Sequence, residues 1–361
     1  MKFASEKNLR MAIDKFPRIK LAYLPTPLEE AKALSEKLGG PRIFIKRDDQ
    51  TGLAFGGNKG RKLEFIMADV MKKKADLVIT WAGIQSNWCR SVAAAVRKLG
   101  MKSILILSKR PGLPADYDGN LLLDYIFDAD IRIVEGEGGK APKEEDIMGT
   151  VNKIVEEERR KGHNPYIVSV GGSSVGWSMT EPLGAISYTD AFLEILKQAK
   201  EQKIKVDAVV HASGSGSTQA GLAVGAKALG GITEVTGISV SGKKDAMVNE
   251  VYEIAKETIK ALRLNMPIAP EDIIVLDDYV GEGYGMLNKE TTEAIRITAE
   301  TEGILLDPVY TAKAMAGLMD LIKLGHFKKG QTIVFLHTGG TPALFPYREK
   351  LLELIKESKK Q

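Results

Sequence analysis

A single cysteine, Cys89, stands in 361 residues, so no disulfide framework and no thiolate-rich metal site can be built. Histidine is nearly as scarce. His163, His211, His326 and His337 are scattered, without HxxxH or HExxH spacing, and the pattern argues against a zinc enzyme. An excess of one charge is also missing: 51 basic and 47 acidic residues leave a formal charge of +4 with the signs interspersed. Such a balance makes no case for nucleic acid or an anionic membrane surface as a partner. No apolar run approaches the ~18 residues that would span a bilayer. The stretch Met1–Lys7 lacks the core of a signal peptide, and a cytoplasmic protein is expected. The closing Glu-Ser-Lys-Lys-Gln, residues 357–361, reads as a solvated helix end.

What is present is an ordinary globular composition, 27% charged and 44% hydrophobic, long enough for one large domain or two smaller ones. Short apolar, β-branched runs recur at 42–46 (RIFIK), 77–80, 103–107, 131–134, 166–170 (YIVSV), 208–211, 235–240, 273–276 and 332–336 (TIVFL). They are continuous rather than alternating, as buried parallel strands are. Helical patterns lie between them, from 63–73 and 91–99 through 185–202 and 219–229 to 312–324 and 349–359. Strand–helix alternation over the whole length predicts an α/β fold with open twisted, mostly parallel sheets covered by helices on both faces. Nine to ten strands are many for one sheet, so two α/β domains are expected.

Chemistry in such sheets belongs to the loops at the carboxyl ends of strands. The segment Gly-Leu-Ala-Phe-Gly-Gly-Asn-Lys-Gly-Arg-Lys, residues 52–62, puts Lys59 where a glycine-rich loop gives way to an apolar-periodic helix. At a helix start the macrodipole disfavours another positive charge, so Lys59 is either exposed and inert or depressed in pKa and reactive. Gln85, Ser86 and Asn87 fall at the next helix start, which suits a carboxylate as well as plain N-capping. The run Ser213-Gly214-Ser215-Gly216-Ser217-Thr218 precedes a further helix. It has neither the Gly-Lys-Ser/Thr ending of a P-loop nor a GxGxxG spacing, and a monophosphate on a helix N-terminus fits it best. His337-Thr338-Gly339-Gly340 follows the last strand; the histidine reads as structural or catalytic, and Thr338 offers a neutral hydroxyl. Tyr284, between Gly283 and Gly285, and Tyr310 lie in loop-like settings. A lysine, a phosphate cradle, a carboxylate cradle and strand-end hydroxyls together suit a phosphorylated Schiff-base cofactor, pyridoxal 5'-phosphate, with an amino-acid substrate.

Over nearly its full length the chain resembles the fold type II, tryptophan-synthase-β-like pyridoxal-phosphate enzymes. More narrowly it resembles the branch of 1-aminocyclopropane-1-carboxylate deaminase, D-cysteine desulfhydrase and L-cysteate sulfo-lyase. The segments that carry the likeness are Leu24–Leu28 (LPTPL), Ile45–Asp49 (IKRDD), Gly56–Lys59 (GGNK), Arg61–Glu64 (RKLE), Gly83–Asn87, Gly214–Gly221, Gly283–Gly285, Glu302–Lys313 (EGILLDPVYTAK) and Phe335–Leu344. The resemblance implies that Lys59 bonds the cofactor and then serves as base, with Asn58 beside it. It implies that Asn87 bonds the ring 3-hydroxyl, that Ser86 with Gln85 and Asn87 receives the substrate carboxylate, and that Gly214, Ser215, Gly216, Ser217 and Thr218 hold the phosphate. Tyr284 and Tyr310 correspond to the two active-site tyrosines of the deaminase. The implied fold is a large domain of residues 1–61 and 181–361 with a small domain, 62–180, inserted, commonly in a homodimer. No metal is implied.

Within the branch, Thr311 and Thr338 replace the Glu and Leu of the cyclopropane deaminase and resemble the desulfhydrase pattern. A neutral Thr338 facing the ring nitrogen weakens the electron sink, which suits β-elimination of D-cysteine, or a related β-substituted amino acid, to pyruvate, ammonia and sulfide. The alternatives are the cyclopropane deaminase reaction, cysteate lysis, or cofactor binding without catalysis. Two features depart from the desulfhydrases: Trp88 stands where they carry His, and the segment 174–182, with Trp177, is longer and bulkier.

Overall fold

The structure is a computed structural model and describes residues 3–358; Met1, Lys2 and the end of the terminal run at 359–361 lie outside the described residues. The chain opens with helix α1 (Glu6–Ile13), strand β1 (Leu28–Glu30), helix α2 (Lys32–Leu38) and strand β2 (Arg42–Lys46). A first alternation follows: α3 (Lys59–Lys72), β3 (Leu77–Gly83), α4 (Asn87–Lys98), β4 (Lys102–Lys109), α5 (Gly119–Ile126), β5 (Asp130–Glu135), α6 (Glu144–Arg160) and β6 (Pro165–Ile167). The second runs α7 (Leu183–Glu201), β7 (Ala208–Ser213), α8 (Ser217–Ala228), β8 (Glu234–Ser239), α9 (Lys244–Ala261), β9 (Ile274–Leu276), α10 (Lys289–Glu302), α11 (Thr311–Lys323), β10 (Thr332–Leu336) and α12 (Arg348–Ser358).

These strands form two sheets, one of six strands in the order β1-β2-β10-β7-β8-β9 and one of four in the order β5-β4-β3-β6. All pairings are parallel except β1 with β2, where Leu28 lies opposite Lys46. The continuous apolar runs mark the central strands: Ile333 to Leu336 and Ile43 to Ile45 are all buried, as both faces of a helix-covered parallel sheet require. The fold class read from the sequence is the fold observed.

Three short elements, α1, α2 and β1, have no periodic run long enough to announce them. Strand β9 starts one residue later than predicted. Strand β6 ends at Ile167 rather than 170, because Val170–Gly172 coil into a 3-10 turn with Gly171 and Gly172 at positive φ.

Helix α3 sits between α4 and α7, and its residues Gly60 to Ala68 are all buried, including Arg61, Lys62 and Glu64. A buried ion network fixes its first turn. Arg61 donates to both oxygens of Asp48 (2.9 and 2.8 Å) and of Glu194 (2.9 and 2.7 Å). Lys46 Nζ reaches Glu194 at 2.6 Å, and Tyr188 donates its hydroxyl to Asp48 at 2.7 Å. Every charge here has an opposite partner, which is the condition for keeping ions out of water. The network ties the start of α3 to β2 and α7.

Candidate active site

Lys59 is the first residue of α3. Its position follows from a close crossing of two loops. Gly57 (φ +112°) and Gly339 (φ +85°) pack so tightly that a Cβ on Gly339 would stand 2.6 Å from the Gly57 Cα. Beside that crossing, Asn58 N donates to Thr338 O at 3.0 Å. Only glycine permits both the positive φ and the contact. The loop before α3 is thereby pinned to the loop after β10, and Lys59 and Thr338 come to one cavity.

The cavity measures about 420 Å³. Its wall includes Asn58, Lys59, Ser86, Asn87, Gly214 to Gly216, Thr218, Tyr284, Tyr310 and Thr338. Residues from segments 280 positions apart in the chain therefore meet here, as the sequence led us to expect. Burial, with the nearby Arg90 charge second, lowers the Lys59 pKa from 10.5 to about 8. Of the two settings open for this lysine, the buried one is observed: Lys59 lines the cavity with its pKa depressed rather than standing exposed.

Lys62 was not among the candidates. It lies one turn along α3, fully buried, with Nζ donating to Ser217 Oγ at 2.8 Å. Burial and the neighbouring Lys59 amine push its pKa well down, since two adjacent amines out of water cannot both hold a charge. The i, i+3 spacing from Lys59 was the available signal, for it puts both side chains on one helix face.

Ser86 is the N-cap of α4, accepting from Trp88 N and Cys89 N at 3.2 Å each. Both lone pairs are engaged, and its hydroxyl hydrogen remains to be given. Asn87 Oδ1 accepts from Asn120 Nδ2 at 2.9 Å, which leaves the Asn87 amide N–H groups for the cavity. Asn120 is itself held by Arg90 (Nη1 to Oδ1, 3.1 Å) and by Gln85 O (3.0 Å).

Two expected contacts are not made by the side chains. The Gln85 amide is spent on α5, with Nε2 donating to Asp118 O (3.0 Å) and Oε1 accepting from Asn120 N (2.9 Å), so it does not line the cavity. Ser217 turns its hydroxyl behind the glycine-rich loop to Lys62 and to Ser173 (2.8 Å). Thr311 also faces away from the cavity: it bonds Asp307 Oδ1 through Oγ1 and N at 2.7 Å each. His337 is structural, with Nδ1 accepting from Gly339 N (3.2 Å) and Nε2 facing Leu305 O (3.1 Å). Cys89 and Trp88 are buried; the Trp88 indole donates to Thr80 Oγ1 at 2.8 Å. Trp177 lies outside the cavity wall and meets Trp81 edge to face, ring centres 5.7 Å apart.

Tyr284 and Tyr310 share a 2.6 Å hydroxyl contact, and burial raises both pKa values, so both stay protonated at neutral pH. Lys313 Nζ donates to Val280 O (2.6 Å) and Gly283 O (2.7 Å) and so fastens the loop that bears Tyr284.

The donor set fits a phosphorylated pyridine aldehyde. An amine of lowered pKa, the start of α8 beside a buried lysine, a free amide at Asn87 and the Thr338 hydroxyl all lie along one cavity. The buried Ser213 hydroxyl on its wall has no partner among the described residues. A two-sheet α/β protein with such a site is a Schiff-base enzyme of the phosphate-bearing kind. The chain belongs to the pyridoxal-phosphate dependent enzymes, whose family model matches residues 19–339. It is 41% identical over 342 residues to a D-cysteine desulfhydrase of Klebsiella pneumoniae (strain 342), covering 94% of this chain and 98% of the relative. Its structure is similar to the crystal structure of an ACC deaminase homologue, with TM-score 0.85, 35% identity and 96% and 99% of the two chains covered. Threonine deaminase isoform 2 from Solanum lycopersicum shares the fold at 18% identity, TM-score 0.65, over 97% and 89% of the chains. The cofactor is pyridoxal 5'-phosphate, and the chain is a fold type II enzyme of the group that holds the desulfhydrases and the deaminase.

Proposed function

We propose that the protein is a β-eliminating lyase that converts D-cysteine, or a related β-substituted amino acid, to pyruvate, ammonia and sulfide. The observation that carries this reading is Lys59: a helix-start amine at a pKa of about 8, facing Asn87, Ser86 and the neutral Thr338 across one cavity. The curated desulfhydrase relative supports the substrate.

When bound, the cofactor supplies an electron sink for the charge left on the substrate α-carbon. Its phosphate would rest on the backbone N–H groups from Gly214 to Thr218, with Lys62 behind them, and its ring 3-hydroxyl on the Asn87 amide. The Ser86 hydroxyl and the Asn87 backbone N–H would take the substrate carboxylate, which fixes the α-carbon near Lys59. The Lys59 amine would remove the α-proton; an amine whose pKa is near neutrality is suited to that exchange. Tyr284 and Tyr310, both protonated, would present a hydroxyl hydrogen to the departing sulfur. Thr338 is a hydroxyl, not a carboxylate, and would leave the ring nitrogen unprotonated, a sink sufficient where a leaving group departs.

The reading includes a homodimer, a cytoplasmic location, and a small domain at 62–180 set into a large one at 1–61 and 181–361. The separate sheet of β3 to β6 supports that division. No helix among the described residues is long and apolar enough to cross a membrane.

The test is direct. Protein incubated with the cofactor should turn yellow, and borohydride should fix the cofactor to Lys59 but not to the Lys59→Ala variant. Pyruvate and sulfide should form from D- or L-cysteine. Turnover of 1-aminocyclopropane-1-carboxylate alone, to 2-oxobutanoate, would overturn the proposal and the reasoning from Thr338.

A further inference from the structure

The cavity does not end at the reacting groups. The same cavity is also walled by Trp81 at the end of β3, Pro142, Ile147 and Met148 around the start of α6, and Val170 after β6, and this apolar part, partly open to solvent, is its outer chamber. These side chains are apolar. Trp81, Ile147 and Met148 are only half-buried, and Val170 is 36% exposed. Apolar surface left uncovered along one face of a polar catalytic cavity is a recognition surface rather than packing. The Trp81 ring is held in place from behind by its edge-to-face contact with Trp177. Besides Lys59 the charged lining groups are Arg110, Glu144 and Glu250; Glu250 lies against Gly216 of the glycine-rich loop, which leaves Arg110 and Glu144, one of each sign, and no bias toward an ionic substituent.

Geometry relates the chamber to the reaction. In the proposed reaction Tyr284 meets the departing sulfur, and Tyr284 shares the cavity wall with Gly83 and Trp81 of β3, so a group carried on that sulfur is directed toward this apolar part. Gly83 keeps that path open: even with a Cβ added, its nearest neighbour would be the Tyr284 ring at 4.0 Å.

We infer that this outer chamber is a subsite for a bulky apolar group carried on the substrate's β-sulfur, so that the enzyme takes S-alkyl- and S-arylalkyl-cysteines as well as the free thiol. The inference rests on the lyase reading above. The chemistry balances without a further reagent: the α-proton is lost, the Cβ–S bond breaks with its electron pair on sulfur, and the thiolate takes a proton. The three-carbon enamine then adds water to give pyruvate and ammonia. From S-benzylcysteine the products are phenylmethanethiol, pyruvate and ammonia.

The experiment compares kcat/KM for S-benzylcysteine and cysteine, both enantiomers of each, in the cofactor-loaded enzyme. S-benzylcysteine should equal or exceed cysteine, because burying a ring of that size is worth roughly tenfold or more. Met148→Glu should lower the ratio of the two constants at least about tenfold, and Trp81→Leu should lower it in the same sense should the first variant not fold. A readout independent of turnover is the tryptophan fluorescence that Trp81→Leu removes from wild type. Titration with 2-amino-5-phenylpentanoate, which has CH₂ in place of the sulfur, should change it at lower concentration than 2-aminopentanoate does. Cysteine turnover without pyruvate from either S-benzylcysteine enantiomer, or an equal loss on both substrates in the variants, overturns the subsite and leaves the lyase reading intact. Absence of pyruvate from every substrate overturns the lyase reading, and the subsite with it.

Discussion

Helix α3 carries two buried cationic regions a turn apart that differ in one respect. On one side, Arg61 and Lys46 meet Asp48 and Glu194, and the burial that opposes Asp48 and Glu194 ionising is outweighed by the adjacent cations, so both carboxylates titrate below their ordinary values. On the other, Lys59 and Lys62 have no carboxylate partner among the described residues, and burial lowers both. Arg90, close by, faces the same lack: burial takes it down to about 10, and the nearby Asp124 is itself pushed up by burial and has no hydrogen bond among the described residues. The satisfied region is scaffold. The unsatisfied one is, in the function proposed above, the place for the cofactor phosphate beside the glycine-rich loop that Lys62 touches through Ser217. Removing a charge should therefore hurt stability on the first side and function on the second.

The largest effect belongs to the reactive amine. Lys59→Ala should cost roughly 10⁴-fold in turnover, the upper range for a positioned proton-transfer group, while the cofactor-free variant unfolds at the same or a higher denaturant concentration than wild type. A loss of stability comparable to the loss of activity would put Lys59 in the scaffold. Next in size, Asp48→Ala should destabilise the cofactor-free protein by about 3–5 kcal/mol, because it strands Arg61 out of water, and equilibrium denaturation would register it. A shift under about 1 kcal/mol would mean that Glu194 alone satisfies Arg61. Lys62→Met should reverse that pattern. The cofactor-free fold should hold or gain stability, while the dissociation constant for the cofactor rises about tenfold to a hundredfold, the worth of one charge-assisted hydrogen bond. Equal cofactor affinity would remove Lys62 from the phosphate site.

How much of this contrast could be read in the sequence depends on what kind of information each residue holds. Strands β2 and β10 were legible to the residue, since a continuous β-branched run bounded by polar residues has one interpretation. Lys59, Asn87, Thr218 and Thr338 were legible as candidates because each follows a strand and precedes or begins a turn or helix start. The orientation of side chains was not. Gln85 and Ser217 carry the right chemistry at the right loops, yet one hydroxyl and one amide are used up by partners 35 and 44 residues distant, Asn120 and Ser173. The apolar wall was invisible for the same reason: nothing in the strand runs 77–80 and 166–170 says that Trp81 and Val170 meet Met148 at one cavity, which the packing of α6 beside β3 brings about.

The smallest effect is a slope in pH, and it separates the two regions without any substitution in the scaffold. The Lys59 pKa in the folded, cofactor-free protein is about 8, below the ordinary lysine value of 10.5. Between these values the unfolded chain holds more protons than the folded one, so folding stability should rise with pH across that window. Lys313, lowered by burial to about 8 as well, adds a slope of the same sign, so the comparison must be with Lys59→Ala, which should retain only part of it. Asp48 and Glu194, held low by their cations, contribute stability that is complete above the ordinary carboxylate range and is lost only as acid carries the pH through their lowered values. Denaturant midpoints from pH 7.5 to 10 should therefore climb in wild type and climb less in Lys59→Ala. Identical slopes would mean that the Lys59 amine is as well hydrated as a surface lysine, and its claim to be the reactive group of this cavity would fail with that result.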